Sequence, residues 1–135
     1  MQARLVFLAA ALLAAACDPV HSYYETLEEA RADDLFERGW LPDVLPPSSH
    51  EILVKTNPDL NTSEGQFLFS PREFELILDR LSPMSRPADT QLEAVQPIVD
   101  SLLAEGYLAY WHTESDREWV FLCKPEQGVC LYYMS

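Results

Sequence analysis

Three cysteines and three histidines, with a few hydroxyls between them, carry whatever chemistry this chain can perform. Asp43, Ser48, Ser49 and His50 bring an acid, two hydroxyls and an imidazole into one short stretch, the set a hydrolase would use. No nucleophile elbow and no zinc-binding helix pattern frames them, and Ser and His neighbours of this kind are common in capping loops. His21, His50 and His112 are far apart in sequence, so no metal site and no cofactor is expected from them. His112, set among aromatic residues, reads as a core or interface histidine rather than a base. Asp59, Asn61 and Ser63 offer alternating oxygens, but a calcium loop of the EF-hand kind needs glycine sixth and an acid twelfth, where Glu64 and Ser70 stand. Asx-type turns account for these residues. Cys17, Cys123 and Cys130 remain, and they govern the rest of the reading.

Cys17 closes the run Leu5 to Ala16, which is uninterruptedly apolar and follows Met1 and Arg4. A short positive start, an apolar stretch and small residues before a cleavage point are the three parts of an export signal. The run is too short to span, since a helix needs about 20 residues to cross the bilayer core. Leu13-Ala14-Ala15-Ala16-Cys17 resembles the bacterial lipobox, with Ala14 in the usual place of leucine. That resemblance implies a diacylglycerol- and palmitate-bearing Cys17 as the mature amino terminus. The competing reading is cleavage after Ala14-x-Ala16 to release an unlipidated Cys17 into the periplasm. Asp18 resembles the signal that retains enteric lipoproteins in the inner membrane, which favours that membrane.

The roughly 118 residues beyond Cys17 suffice for one domain with its own core. Loss of Arg4 with the leader takes the formal charge from -13 to -14. Such a domain is repelled by nucleic acid and by anionic headgroups, leaving a basic protein as the natural charged partner. Solubility alone also accounts for the acidity.

Thr26-Leu27-Glu28-Glu29 forms a capping box and predicts a helix to about Arg38, stopped by Gly39. On it Glu29, Asp33 and Glu37 fall at i, i+4 and i+8, a row that is either a solvated face or a docking strip for a cation-rich partner. Trp40 and Trp119 are the aromatic candidates for the same binding surface. Three prolines between Gly39 and Ser49 exclude helix and strand and predict an ordered extended loop packed across the domain. His50 to Thr56 and Gln66 to Phe69 read as paired strands.

Gly39-Trp40-Leu41-Pro42, Leu45-Pro46-Pro47-Ser48, Ile52, Asp59-Leu60-Asn61-Thr62 and Phe67-x-Phe69 together resemble the YbbD-type head domain of small bacterial envelope proteins. The resemblance spans residues 25–70, with Asn61 and Ser63 where that pattern has Asp and Asn. It implies a domain type and assigns no chemistry.

Ser70-Pro71-Arg72-Glu73 combines an N-cap, a proline at the first helical position and a box glutamate. Phe74, Ile77, Leu78 and Leu81 then supply one buried face. After a proline-broken connection over 82–89, Thr90 to Glu93 repeats the capping box. Leu92, Val95, Val99 and Leu102 carry a second stripe to Gly106, with Pro97 expected to kink the helix.

From Tyr107 the period becomes two, predicting a meander of strands 107–113, 118–124 and 129–134. With Glu114 opposite Arg117 and Lys124 opposite Val129, one face carries Leu108, Tyr110, His112, Trp119, Phe121, Cys123, Cys130 and Tyr132. The other carries Ala109, Trp111, Val120, Leu122, Leu131 and Tyr133. Both are apolar, so the second is either covered as well, for which three helices suffice, or is a binding patch. The same register sets Cys123 facing Cys130. In an oxidising compartment they form a disulfide if the pair is of the non-hydrogen-bonded kind; otherwise they are two buried thiols.

The expectation is therefore a signal over 1–16, a lipid-anchored tether over 17–24, and a single α+β domain over 25–135. That domain has about three helices on a mostly antiparallel sheet of about five strands, ending in the meander. Its expected role is a non-catalytic interaction or structural module of the bacterial envelope, facing the periplasm. An immunity protein or inhibitor of a cationic enzyme is the alternative, and a small hydrolase a third.

Overall fold

The computed structural model describes residues 19–81 and 86–135. The leader, Cys17 and Asp18 lie outside the described residues, as does the 82–85 part of the connection. Among the described residues no helix is long and apolar enough to cross a membrane.

Six strands form one antiparallel sheet: β1 (Val20–Thr26), β2 (His50–Asn57), β3 (Thr62–Leu68), β4 (Leu108–Glu114), β5 (Arg117–Lys124) and β6 (Val129–Met134). The spatial order is β1-β2-β3-β6-β5-β4, two three-strand halves joined where β3 meets β6. Among the described residues three α-helices complete the α+β fold: α1 (Leu27–Ala32), α2 (Phe74–Arg80) and α3 (Gln96–Ala104).

The sheet has six strands rather than five because β1 begins at Val20, inside the stretch read as a tether. It pairs along β2 from Val20↔Thr56 to Thr26↔His50. Its one fully buried side chain is Tyr24, so the alternation is too weak to announce a strand. β3 likewise starts at Thr62, four residues ahead of the expected Gln66, and the connection shrinks to a turn in which Leu60 N–H donates to Asn57 Oδ1 (3.2 Å).

The capping box at α1 forms in one half: Glu29 N–H donates to Thr26 Oγ1 (3.2 Å), while Glu29 Oε2 accepts from Glu25 N–H (2.8 Å), one residue ahead of the cap. The helix, however, ends at Ala32 instead of Arg38. Asp34 turns into the left-handed region (φ 55°), and Leu35 folds back to donate to Ala30 O, which buries its side chain. The 71–73 turn leads into α2 as the proline requires, but Glu73 does not close a box with Ser70. It accepts instead from Ser48 N–H (3.0 Å). Pro97 opens α3 rather than kinking a longer helix, because a proline is tolerated in the first turn, where its missing N–H costs nothing. Thr90 Oγ1 caps locally, accepting from Leu92 N–H (3.0 Å).

One face of the sheet is closed by α1, α2 and the proline-rich loop. Leu41, Val44 and Leu45 of that loop pack with Ile52, Phe67, Phe121, Tyr132 and Ile77. Each fully buried leucine contributes about 1.5–3 kcal/mol, which holds a segment that has few backbone hydrogen bonds of its own. Polar clamps fix its path. Arg31 grips Asp43 through two bonds (2.8 and 3.2 Å), and Ser49 Oγ donates to Pro46 O (2.7 Å). The other face carries a smaller core in which Leu92 and Val99 meet Trp111, Val120 and Leu122.

The meander register is as expected, Glu114↔Arg117 and Lys124↔Val129, and the face assignment follows it. Cys123 and Cys130 are bonded, with Cα atoms 4.1 Å apart, near the ~4.5 Å of a non-hydrogen-bonded pair.

β2 bulges between His50 and Leu53, with Glu51 at φ 47°, and this presses its backbone toward β3. Opposite lies Gly65, where a methyl group would sit 1.9 Å from Leu53 O and 3.0 Å from Tyr132 Cε1. Gly65→Ala is therefore expected to lower stability by about 2–3 kcal/mol, read from urea unfolding midpoints.

Candidate interaction surface

α3 covers only the β4–β5 end of its face, so the expectation of full coverage holds for half the sheet. Beyond it, β1, β2, β3 and β6 present an open shelf of about 440 Å³, lined by His21, Tyr23, Leu53, Gln66, Leu131 and Tyr133. Cross-strand pairing orders the shelf into two rows. His21, Lys55, Glu64 and Tyr133 stand side by side in the first, and Tyr23, Leu53, Gln66 and Leu131 in the second. Tyr23, on the edge strand β1, is 52% exposed, and Leu53, on the inner strand β2, is 41% exposed, a high degree of exposure for a large apolar side chain inside a sheet. Across the middle Lys55 Nζ meets Glu64 Oε1 at 3.2 Å, a pair still open to solvent. Leu131 and Tyr133 were legible as members of this face, whereas Tyr23 was hidden in the stretch read as tether. The sole cue was the alternation of His21 and Tyr23 with Ser22 and Tyr24.

The acidic row does not survive folding as a row. With α1 ending at Ala32, Glu29 serves the capping box and Glu37 lies in a separate turn. Asp33 accepts from Tyr24 Oη (2.5 Å) and pairs with Arg38 (3.1 Å). Burial first, and then the bond to Asp33, push the Tyr24 phenol above its ordinary value.

The tryptophans are not binding-surface residues of the kind expected. Trp119 is 2% exposed, and its indole N–H donates to Trp40 O (3.5 Å). Trp40 is half-buried and covered by the Arg117 guanidinium, 5.0 Å from the ring centroid. Arg117 also donates to Gly39 O and to Asn61 Oδ1 (3.2 Å), tying the proline-rich loop to the β2–β3 turn. No local pattern marks this arginine, because its partners are 56 to 78 residues away.

The residues of the hydrolase reading each have a separate partner. Asp43 holds Arg31, Ser48 Oγ accepts from Ser70 N–H (2.8 Å), and Ser49 holds Pro46. His50 Nδ1 lies 2.9 Å from Ser48 O. The bond from Ser48 N–H keeps the Glu73 carboxyl below its usual range. Asp59, Asn61 and Ser63 do not converge. Asn61 serves Arg117, and buried Ser63 faces Tyr132 Oη at 3.5 Å, a phenol that burial pushes far up.

These elements, β1, α1, the proline-rich loop, β2 and β3, are one continuous segment. Residues 18–68 match the family model of the YbbD head domain. No curated protein and no solved structure matches the chain. The match starts seven residues before the expected 25–70, which brings β1 into the YbbD head segment. That segment does not close its own core here, since its last strand lies against β6 through Phe67↔Cys130 and Gly65↔Tyr132.

His112 is 8% exposed, tilted against Trp119 at 5.8 Å, and neither ring nitrogen has a hydrogen-bond partner among the described residues. Burial lowers its pKa from 6.5, opposed by the Glu114 charge. The folded state thus prefers the neutral ring, while the unfolded chain takes a proton near 6.5, so stability falls as pH drops below that value. His112→Phe should remove this component. The drop in melting temperature between pH 7.5 and pH 5.5 is expected to be smaller in the variant than in the parent, and equal drops would contradict it.

Proposed function

We propose that this chain is a lipid-anchored, non-catalytic interaction module of a bacterial envelope, held at the membrane by Cys17 and facing the periplasm. The observation that carries the reading is the Cys123–Cys130 bond, which uses two of the three cysteines and leaves Cys17 alone at the end of the apolar leader. Disulfides persist in oxidising compartments, to which such a leader directs a chain. The YbbD head match supports an envelope setting, and Asp18 favours the inner membrane. With β1 starting at Val20, a lipid on Cys17 would hold the sheet within about 10 Å of the bilayer, at ~3.4 Å per residue.

Neutralising a cationic enzyme, as an immunity protein or inhibitor, is the alternative role, supported by the net charge of -13. Binding of such a partner should weaken steeply with salt, because charges beyond ~8 Å are screened at physiological ionic strength. Titration against lysozyme-like basic proteins at low and high salt tests it, and salt-independent affinity would count against it.

Anchoring is checked by growing cells with labelled palmitate. The parent should carry label and Cys17→Ser should not, whereas equal labelling of both would overturn the anchor. Alkylation of the periplasmic protein should add no label at Cys123 and Cys130 until a reductant is supplied.

A further inference from the structure

We propose that the open shelf is a self-association surface, on which two copies pack face to face about a two-fold axis running parallel to β2 and β3. The shelf is complementary to itself in charge and in shape. An axis midway between β2 and β3 lays β2 of one copy over β3 of the other and keeps each cross-strand row facing its own equivalent. In the first row Lys55 then meets Glu64 of the second copy, and Glu64 meets Lys55, giving two opposite-charge contacts from one asymmetric pair. In the second row Leu53 faces Gln66, and Tyr23 faces Leu131. Glu25, next along β1, comes to lie against the β6 side near Val129 rather than against its own copy, so the acidic margins do not meet.

The step made by α3 fits the same arrangement. Packed sheets lie ~10 Å apart, about the diameter of a helix. Each α3, standing over β4 and β5, therefore fills the layer beside the partner's β1 edge instead of obstructing it. Ile98 and Leu103 flank Val99 on either side of α3 and are both about two-fifths exposed, so either flank of the helix carries an exposed apolar side chain. The pairing covers Tyr23 and Leu53 and shields the unpaired edge of β1, two exposures that a lone copy leaves to water. Four strands at ~4.8 Å spacing and about six residues of ~3.3 Å each give roughly 400 Å² of flat shelf per copy, at the low end for specific contacts, so the pair is reversible. Added salt should strengthen it by screening the repulsion between two strongly acidic chains, opposite in sign to the docking of a basic partner.

The surface belongs to the domain and is independent of the anchor, so its test does not turn on palmitate labelling. In cells producing the full chain, a photoreactive benzoylphenylalanine at position 23 should give an adduct of twice the chain's mass, joined near Leu131. Lys55→Glu alone should abolish that adduct by setting acid against acid, and Glu64→Lys alone by setting base against base. Co-expression of the two single variants should restore it, because every cross-copy contact is then of opposite sign. Each variant keeps its own internal clash, so restoration cannot come from repaired folding. An adduct with a different protein, no adduct in the parent, or no restoration on co-expression would each overturn the proposal.

Discussion

The β3–β6 ladder is the constraint on which the rest of the molecule depends. It joins residues 61 to 71 positions apart, from Leu68↔Val129 to Ser63↔Met134, farther along the chain than any other strand pairing among the described residues. Along it Phe67 meets Cys130 and Gly65 meets Tyr132, and of these Phe67, Cys130 and Tyr132 are fully buried in the main core. A three-stranded half is near the minimum for independent stability, and pairing β3 with β6 closes the main core across both halves. The glycine at this seam follows from the same demand, since the bulged β2 backbone leaves no room for a side chain there.

Chain length divides what the sequence disclosed from what it concealed. The meander register, both of its faces and the Cys123–Cys130 pairing were legible because hairpin pairing follows by counting from a short turn. The proline-rich loop was legible because prolines exclude the alternatives and Leu41, Val44 and Leu45 have nowhere else to go. Features that distant partners decide were not legible. Glu73 left the expected box for Ser48, 25 residues back, and Arg117 found its acceptors on Gly39 and Asn61. β1 was missed because its partner strand lies beyond the whole proline-rich loop and only Tyr24 registers the burial. The end of α1 was misread because a continuous helix and a broken one spend the same residues. What decides between them is Leu35 reaching the core past a left-handed Asp34.

The candidate surface follows from the same imbalance. Two helices and the loop crowd one face, while α3 alone serves the other and, held by Trp111, Val120 and Leu122, stays at one end. An apolar step remains, crossed by the Lys55–Glu64 pair. Neither the step nor its charge pattern exists in any single strand, so no reading of local periodicity exposes it.

The disulfide also narrows the pairings open to β3. It links positions seven apart across a tight turn and needs nothing from the N-terminal half. Once formed, it holds the register of the β5–β6 hairpin and so fixes which backbone groups β6 turns outward. β3, coming from across the long connection, pairs with a template whose alignment the bond holds. A covalent bond at one hairpin thus selects among the slipped pairings that a flexible β6 would offer, and it acts on the seam through Cys130, which stands opposite Phe67.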